Sequence, residues 1–245
     1  MSEENLNEEN NDDQIKAIYG ETDISMPELM MPDAPDEVEQ LENEMKVIDD
    51  KFKASFNFCF VGAGQGGSRV AEAFSRLGYQ RVAAINTAEQ DLNTLKLENK
   101  LCVGDGGAGK EPDLAKKAIE EKSEDVLDFL RYSFGPSFDK IFVCAGAGGG
   151  SGSGMVIPLV NITKEIQKIH KSTDESVGVI LTLPKRSEGK KVNQNAYNVL
   201  KTVFPLVNQK IVSPLIILDN EKVAQMYPNV AVSKFFDVAN SSLTG

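Results

Sequence analysis

Histidine, cysteine and tryptophan are scarce in this sequence of 245 residues, which has one histidine, three cysteines and no tryptophan. The lone histidine, His170, argues against a Ser-His-Asp triad and against a metal site made of several histidines. The cysteines Cys59, Cys102 and Cys144 are far apart, which excludes a disulfide scaffold and a CxxC zinc site and is typical of a reducing cytoplasm. The sequence also lacks a run of about 18 apolar residues and begins with acidic residues, so we expect neither a membrane span nor a secretory signal.

Basic residues are rare at the start of the chain. Residues 1–50 hold 17 of the 37 acidic residues but only two of the 26 basic ones, a charge of −15, whereas residues 51–245 carry +4. Such a composition is typical of disordered segments, because it offers too little apolar surface to bury. We therefore predict an acidic, largely disordered arm at 1–54, which would repel nucleic acid and anionic membrane surfaces.

Within this arm, the spacing of apolar residues predicts a helix at 36–53. The 3-4-3-4 intervals place the apolar side chains on one helical face, and they belong to Val38, Leu41, Met45, Ile48 and Phe52. Two interpretations stay open. The helix packs on the rest of the chain, or it docks an adaptor protein.

From residue 55 onwards, short apolar strands alternate with helices, and glycine-rich segments follow several strands. The predicted strands are 56–61, 81–86, 100–103, 140–145, 176–183 and 214–218. The predicted helices are 69–77, 91–97, 112–132, one ending near 170, 193–207 and 232–243. This alternation predicts an α/β fold with a doubly wound, mostly parallel, Rossmann-like sheet, which binds ligands at the carboxyl ends of its strands.

Three glycine-rich segments follow predicted strands, at 62–67, 104–110 and 146–154. Glycine lets backbone N–H groups approach phosphate oxygens, and a following helix adds partial positive charge. The third segment is the strongest indication, since a nest of N–H groups with the hydroxyls of Ser151 and Ser153 could hold a di- or triphosphate.

Two other nucleotide-binding motifs partly match these segments. The first segment matches G-x-G-x-x-G, but Asn86 and Thr87 stand where a nicotinamide enzyme carries an acidic residue, which disfavours that class of protein. The second segment ends in Gly-Lys like a P-loop. However, Glu111 stands where the P-loop needs Ser or Thr for Mg²⁺, so the segment is either a flexible turn or a second phosphate-binding loop.

The third segment also carries a specific resemblance. The residues GGGSGSG at 148–154 resemble the signature loop of the tubulin/FtsZ family. Further segments agree in order: GQGGS at 64–68, INT at 85–87, GAGKEP at 107–112, EGKK at 188–191 and LDNEK at 218–222. The resemblance covers nearly all of the chain from Phe56 to Gly245. It implies a GTP-binding domain at 55–245 of a GTPase that polymerises head to tail into filaments, with GTP or GDP and Mg²⁺ as ligands.

The resemblance also implies the nucleotide contacts. They are Gly64, Gln65, Gly66, Gly67, Ser68, Asn86, Gly107, Ala108, Gly109, Lys110, Gly148, Gly149, Gly150, Ser151, Gly152, Ser153, Pro184, Glu188, Asn220, Phe236 and Asn240. Among them, Glu188 would contact the ribose, and Asn220 the guanine. Phe236 and Asn240, one helical turn apart, would stack on the base and hydrogen-bond to it. No direct side-chain ligand for Mg²⁺ is implied, although Gln65 could reach the ion through water.

Some features depart from the family pattern. Val192 stands where FtsZ proteins usually carry an arginine near the nucleotide. The segments AINTAEQDLNTL and TLPK resemble the plasmid and phage branch, the TubZ type, more than division FtsZ.

In the family, the last helix leads to an acidic catalytic loop, which would lie beyond Gly245. We therefore expect the chain alone to have no catalytic residue of its own and to hydrolyse GTP poorly.

The expected role is that of a cytoskeletal filament in DNA segregation, positioning or division, in the cytoplasm of a bacterial or phage-infected cell. An adaptor would bind the acidic arm, whereas nucleic acid would not bind directly. Two other function classes stay open at this point: a nucleotide-binding interaction module that has lost hydrolysis, and an NAD-linked Rossmann enzyme.

Overall fold

The structure is a computed structural model, and it describes residues 56–170 and 174–226. The predicted arm at 1–54, its helix at 36–53 and the helix at 232–243 with Phe236 and Asn240 lie outside these residues and stay predictions. Within the described part, no helix combines the length and apolarity needed to cross a bilayer.

Six parallel strands form one sheet in the order β3-β2-β1-β4-β5-β6. The strands are β1 (Phe58–Ala63), β2 (Val82–Asn86), β3 (Asn99–Cys102), β4 (Lys140–Gly146), β5 (Val177–Leu183) and β6 (Val212–Asp219). This order confirms the predicted doubly wound fold. The chain reverses its direction of travel across the sheet between β1 and β4, and such a switch point leaves a crevice outside the carboxyl ends of the strands.

Seven α-helices accompany the strands in the described part of the chain. They are α1 (Gly64–Arg76), α2 (Glu89–Asn93), α3 (Pro112–Glu121), α4 (Ser123–Phe134), α5 (Ser151–Ile169), α6 (Lys190–Asn208) and α7 (Asn220–Met226). The single helix predicted at 112–132 is wrong, because the backbone at Lys122 leaves the helical region (φ −112°, ψ 25°) and separates α3 from α4. Likewise, α1 begins at Gly64 rather than at Arg69, so the first glycine segment is itself the first turn of a helix.

The central strands are buried on both faces, which explains their near-continuous apolar sequence. Alternate residues enter two separate cores: Val61 and Val143 pack with α3, α4, α5 and α6, whereas Phe60 and Phe142 pack with α1 and α2. Cys144 is fully buried in the second core, and this burial raises the pKa of its thiol. The helices therefore cover both faces of the sheet and leave its carboxyl edge open to the loops.

A partly buried lysine joins three strands at the opposite, amino-terminal edge. Lys140 Nζ donates to Asp174 Oδ2 (2.6 Å), to Ser176 Oγ (2.9 Å) and to the carbonyl oxygen of Ser213 (2.8 Å). The hydrogen bonds from Lys140 and Ser176 lower the pKa of Asp174 to about 2. The start of β4 is thereby held to the segment that leads into β5 and to the start of β6.

Asp174→Asn is expected to weaken the fold in a pH-dependent way. Because the pKa of Asp174 is depressed in the folded chain, its ion pair stabilises the fold above about pH 4, and this contribution disappears as the pH falls towards 2. The carboxylate is more than half exposed, so we expect a loss of at most about 1 kcal/mol at neutral pH. Urea unfolding between pH 7 and pH 3 measures this, with Asp128→Asn, at a 3.9 Å surface pair with Arg131, as the control. An equal loss at every pH would contradict the prediction.

Candidate functional site

A cavity of about 550 Å³ lies at the carboxyl edge of the sheet, beside the switch point. Its walls come from the ends of β1, β4, β5 and β6 and from the loop before α3. Eleven of the residues predicted from the sequence line it: Gln65, Gly66, Lys110, Gly148, Gly149, Gly150, Ser151, Gly152, Pro184, Glu188 and Asn220. Segments that are far apart in the sequence therefore meet at one site, as the strand ends of a parallel sheet require.

Two helices begin at this cavity. Helix α1 begins at Gly64 and α5 at Ser151, and neither has a side chain that caps its first N–H groups. Neither helix has an acidic residue in its first turn. Free N–H groups and the positive end of a helix dipole together favour an anion. The electrostatics at these two helix starts therefore suit phosphate.

Close packing between the glycine loops requires the absence of side chains. A Cβ atom on Gly64 would lie 2.7 Å from the backbone nitrogen of Gly152, and a Cβ atom on Gly150 would lie 2.9 Å from that of Lys110. By contrast, a Cβ atom on Gly149 would meet nothing within 4 Å. Gly149 is thus the position at which the third loop opens into the cavity, whereas its neighbours hold the loops together.

Several predicted contacts lie beneath the cavity rather than on its wall. Ser68 is fully buried, and its hydroxyl donates to the carbonyl oxygen of Gly62 (3.3 Å). The hydroxyl of Ser153 donates to the carbonyl oxygen of Ala147 (2.5 Å). Gly67 packs against β4, because a Cβ atom there would lie 2.1 Å from the backbone oxygen of Cys144. The structure gives these residues a role in shaping the loops.

The second glycine segment lies mostly beside the cavity. Gly107 and Ala108 line a neighbouring cavity of about 350 Å³ together with Thr87. Gly109 lines neither cavity, whereas Lys110 reaches the main one, with both residues in the left-handed region (φ 54° and 66°). Of the two interpretations of this segment, the geometry favours a loop that presents Lys110 to the cavity.

Five residues of the cavity wall were not among the predicted contacts, namely Ala63, Asp91, Gly146, Thr182 and Val192, although Gly146 lies in the third glycine segment. Asp91 is the most informative of them. Asn86 is buried and donates its amide to Asp91 Oδ2 (3.0 Å), so the short helix α2 brings a carboxylate to the site although β2 ends without one. A search for an acidic residue within two turns after the second strand would have found it.

The loop after β5 contributes an ordered carboxylate and an apolar wall. Glu188 Oε1 accepts the backbone N–H of Lys185 (2.7 Å), which closes a 3₁₀ turn at Arg186–Glu188. Val192 lies against the third loop, since a Cβ atom on Gly148 would be 2.5 Å from it. Val192 is therefore a packing residue of the cavity wall.

No cluster of three or more His, Cys, Asp or Glu side chains suited to a metal ion is found among residues 56–170 and 174–226. The oxygen donors on the cavity wall are separate groups, including the carboxylates of Asp91 and Glu188 and the hydroxyl of Ser151. Such a set fits a cation like Mg²⁺, which keeps several waters and takes its remaining ligands from a bound phosphate.

Comparison with known proteins places this geometry in a family. The model of the Tubulin/FtsZ family GTPase domain matches residues 57–228. The chain is 26% identical over 230 residues to cell division protein FtsZ 1 of Pyrococcus furiosus. That match covers 91% of this chain and 55% of FtsZ 1. It is 24% identical over 212 residues to the tubulin-like protein TubZ of Bacillus cereus. That match covers 79% of this chain and 46% of TubZ. The chain thus spans about half the length of the curated relatives it matches.

A solved structure agrees with these matches. The GTPγS-bound protofilament of CetZ2 from Haloferax volcanii superposes with a TM-score of 0.63 at 27% identity, over 76% of this chain and 55% of that one. FtsZ, TubZ and CetZ proteins match at similar identities, so the TubZ-type branch stays a prediction. The family match over 57–228, the sheet order and the converging glycine loops agree, and the chain belongs to the Tubulin/FtsZ family through its GTPase domain.

Proposed function

We propose that the cavity binds GTP with Mg²⁺ as the nucleotide site of a filament-forming GTPase. One observation carries the proposal: two helices, α1 and α5, begin at the same cavity with uncapped N–H groups and no acidic residue in the first turn. A polyanion is the ligand that such a pair of helix starts favours, because its charge interacts with both dipoles at once.

The remaining residues of the wall fit the other end of a nucleotide. Adjacent strands lie about 4.8 Å apart, so the end of β6 is about 10 Å from the end of β4. Asn220 follows β6 and Glu188 follows β5. An amide that can read a base and a carboxylate that can accept ribose hydroxyls therefore lie to one side of the phosphate-binding loops. Phe236 and Asn240 stay predicted contacts to the guanine.

Mg²⁺ would be held mainly by the phosphates, with Asp91 and Gln65 as the groups of this chain that reach it through water. When bound, the ion supplies charge neutralisation along the phosphate chain. Lys110 supplies further positive charge from the opposite loop, and the backbone N–H groups of Gly149 and Gly150 orient the oxygens.

The proposal extends to self-association into head-to-tail filaments in the cytoplasm, in DNA segregation, positioning or division. Its support is the CetZ2 relative, which is 27% identical and was solved as a GTPγS-bound protofilament. Residues 1–54, which carry a large net negative charge, would bind an adaptor rather than nucleic acid. Hydrolysis would take place within the filament.

Nucleotide preference tests the proposal by calorimetric titration of the full chain with GTP, ATP and NAD⁺ in the presence of Mg²⁺. We expect GTP to bind at least about 10-fold more tightly than ATP, the equivalent of one or two net hydrogen bonds to the base. NAD⁺ is a meaningful comparison because Asp91 supplies a carboxylate after β2, as dinucleotide enzymes require. Tighter binding of NAD⁺ than of GTP would overturn the proposal.

Filament formation is tested separately by GTP-dependent light scattering and pelleting of the full chain. We expect scattering to rise with GTP and to be lost on chelation of Mg²⁺. GTP binding without any assembly or turnover would instead favour the interaction module that does not hydrolyse its nucleotide.

A further inference from the structure

A buried amide on α6 joins two of the glycine loops. The side-chain nitrogen of Asn195 donates to the carbonyl oxygen of Lys110 (3.2 Å) and to that of Gly148 (3.3 Å). Asn195 is only 6% exposed and is absent from the cavity wall, whereas both of its partners line the cavity. The amide NH₂ group suits this position because it is uncharged and its one nitrogen carries two N–H donors.

The loop that Asn195 holds is in a conformation that costs energy. Gly109 and Lys110 are both left-handed, and for a residue with a Cβ atom this conformation costs about 1–2 kcal/mol. Such strain persists only where the surrounding structure holds the residue in place. The bond from Asn195 fixes the carbonyl group of the strained residue itself and joins the Lys110 backbone to α6.

Neighbouring contacts on the same helix act on the same two loops. Lys191, one turn before Asn195, pairs with Glu111, the residue after Lys110. Val192 packs against Gly148. The first turns of α6 therefore form a docking surface for both loops, and Asn195 is the polar group at its centre.

We propose that Asn195 is a positioning residue that sets the separation of Lys110 from the third glycine loop and thereby determines how strongly the site gains affinity with each added phosphate. This inference rests on the proposed function. Its physical reason is that a cation and a row of N–H groups stabilise a phosphate chain only when both are at hydrogen-bonding distance from the same oxygens.

The test compares Asn195→Leu with Asn198→Leu in the full chain. Leucine has the same number and branching of side-chain heavy atoms as asparagine but cannot donate, so the carbonyl groups of Lys110 and Gly148 lose their partner. Asn198 is exposed on the same helix and bonds to Gln194, which makes it the matched control. The affinities for GMP, GDP and GTP are measured with Mg²⁺ present, together with the melting temperature.

We expect Asn195→Leu to weaken GTP binding by about 10-fold or more and GMP binding by less than about 2-fold, while Asn198→Leu leaves all three affinities unchanged. If Asn195→Leu does not fold, Asn195→Asp, which keeps the shape but directs oxygens at two carbonyl groups, is measured instead, with the same expected result. An equal loss for GMP, GDP and GTP, or no loss, overturns the positioning role. If the unaltered chain binds none of them, the proposed function itself fails.

Discussion

Gly149→Glu is expected to abolish nucleotide binding and leave the fold unchanged. A Cβ atom at this position meets nothing within 4 Å, and the backbone there is not left-handed, so the folded chain accommodates a side chain. The new carboxylate occupies the cavity and repels phosphate from the N–H groups of α5. We expect the affinity for GTP to fall by about 100-fold or more, the equivalent of about 2.7 kcal/mol.

Calorimetry with GTP and thermal unfolding measure the two halves of this prediction. Asn161→Glu is the matched control, since it adds the same charge on α5, ten residues after Ser151 and about 15 Å along the helix. It should leave the affinity within about 2-fold of the unaltered chain. Unchanged GTP binding by Gly149→Glu would remove the third glycine loop from the site.

Alanine at Gly67 and alanine at the adjacent Gly66 are expected to change stability in opposite directions. A Cβ atom on Gly67 would lie 2.1 Å from the carbonyl oxygen of Cys144, in a central strand that pairs on both sides. The strand cannot move away, so we expect Gly67→Ala to lower the free energy of unfolding by about 3 kcal/mol or more. On Gly66 the nearest atom would be 3.5 Å away, and alanine should stabilise α1 by up to about 1 kcal/mol.

Urea unfolding of both variants, monitored by circular dichroism, decides this prediction. The two sites are neighbours in one helical turn, so differences in expression, buffer or reporter affect both variants alike. A similar loss of stability in both would mean that α1 is not packed against β4 at this point. That outcome would also mean that close packing on β4 does not explain the glycine at position 67, the last of the G-x-G-x-x-G pattern.

Local sequence was sufficient to locate the parts of the site that depend on the backbone. The glycine loops at Gly64 and Gly148 were found because a strand, a glycine run and a helix follow one another directly along the chain. The doubly wound, mostly parallel sheet was also predicted, since alternating strands and helices favour few topologies. These features depend on neighbours in sequence, which a pattern can record.

Features that depend on where side chains point were missed. Asp91 lines the cavity and accepts the amide of Asn86, five residues before it, whereas Asn195 contacts Lys110 and Gly148 from 85 and 47 residues away in the sequence. Ser68 and Ser153 have the residue type of ligand contacts, yet their hydroxyls serve nearby carbonyl groups. A spacing pattern gives no direction for these side chains, whereas packing does.

The proposed function requires that uncapped N–H groups at the starts of α1 and α5 bind a triphosphate, and a crystal structure of the chain with GTPγS and Mg²⁺ would show whether they do. We expect phosphate oxygens within hydrogen-bonding distance of the backbone nitrogens of Gly149, Gly150 and Ser151, with the guanine towards Asn220. Nucleotide bound elsewhere, or with its base against the glycine loops and its phosphates in solvent, would exclude this mode of binding.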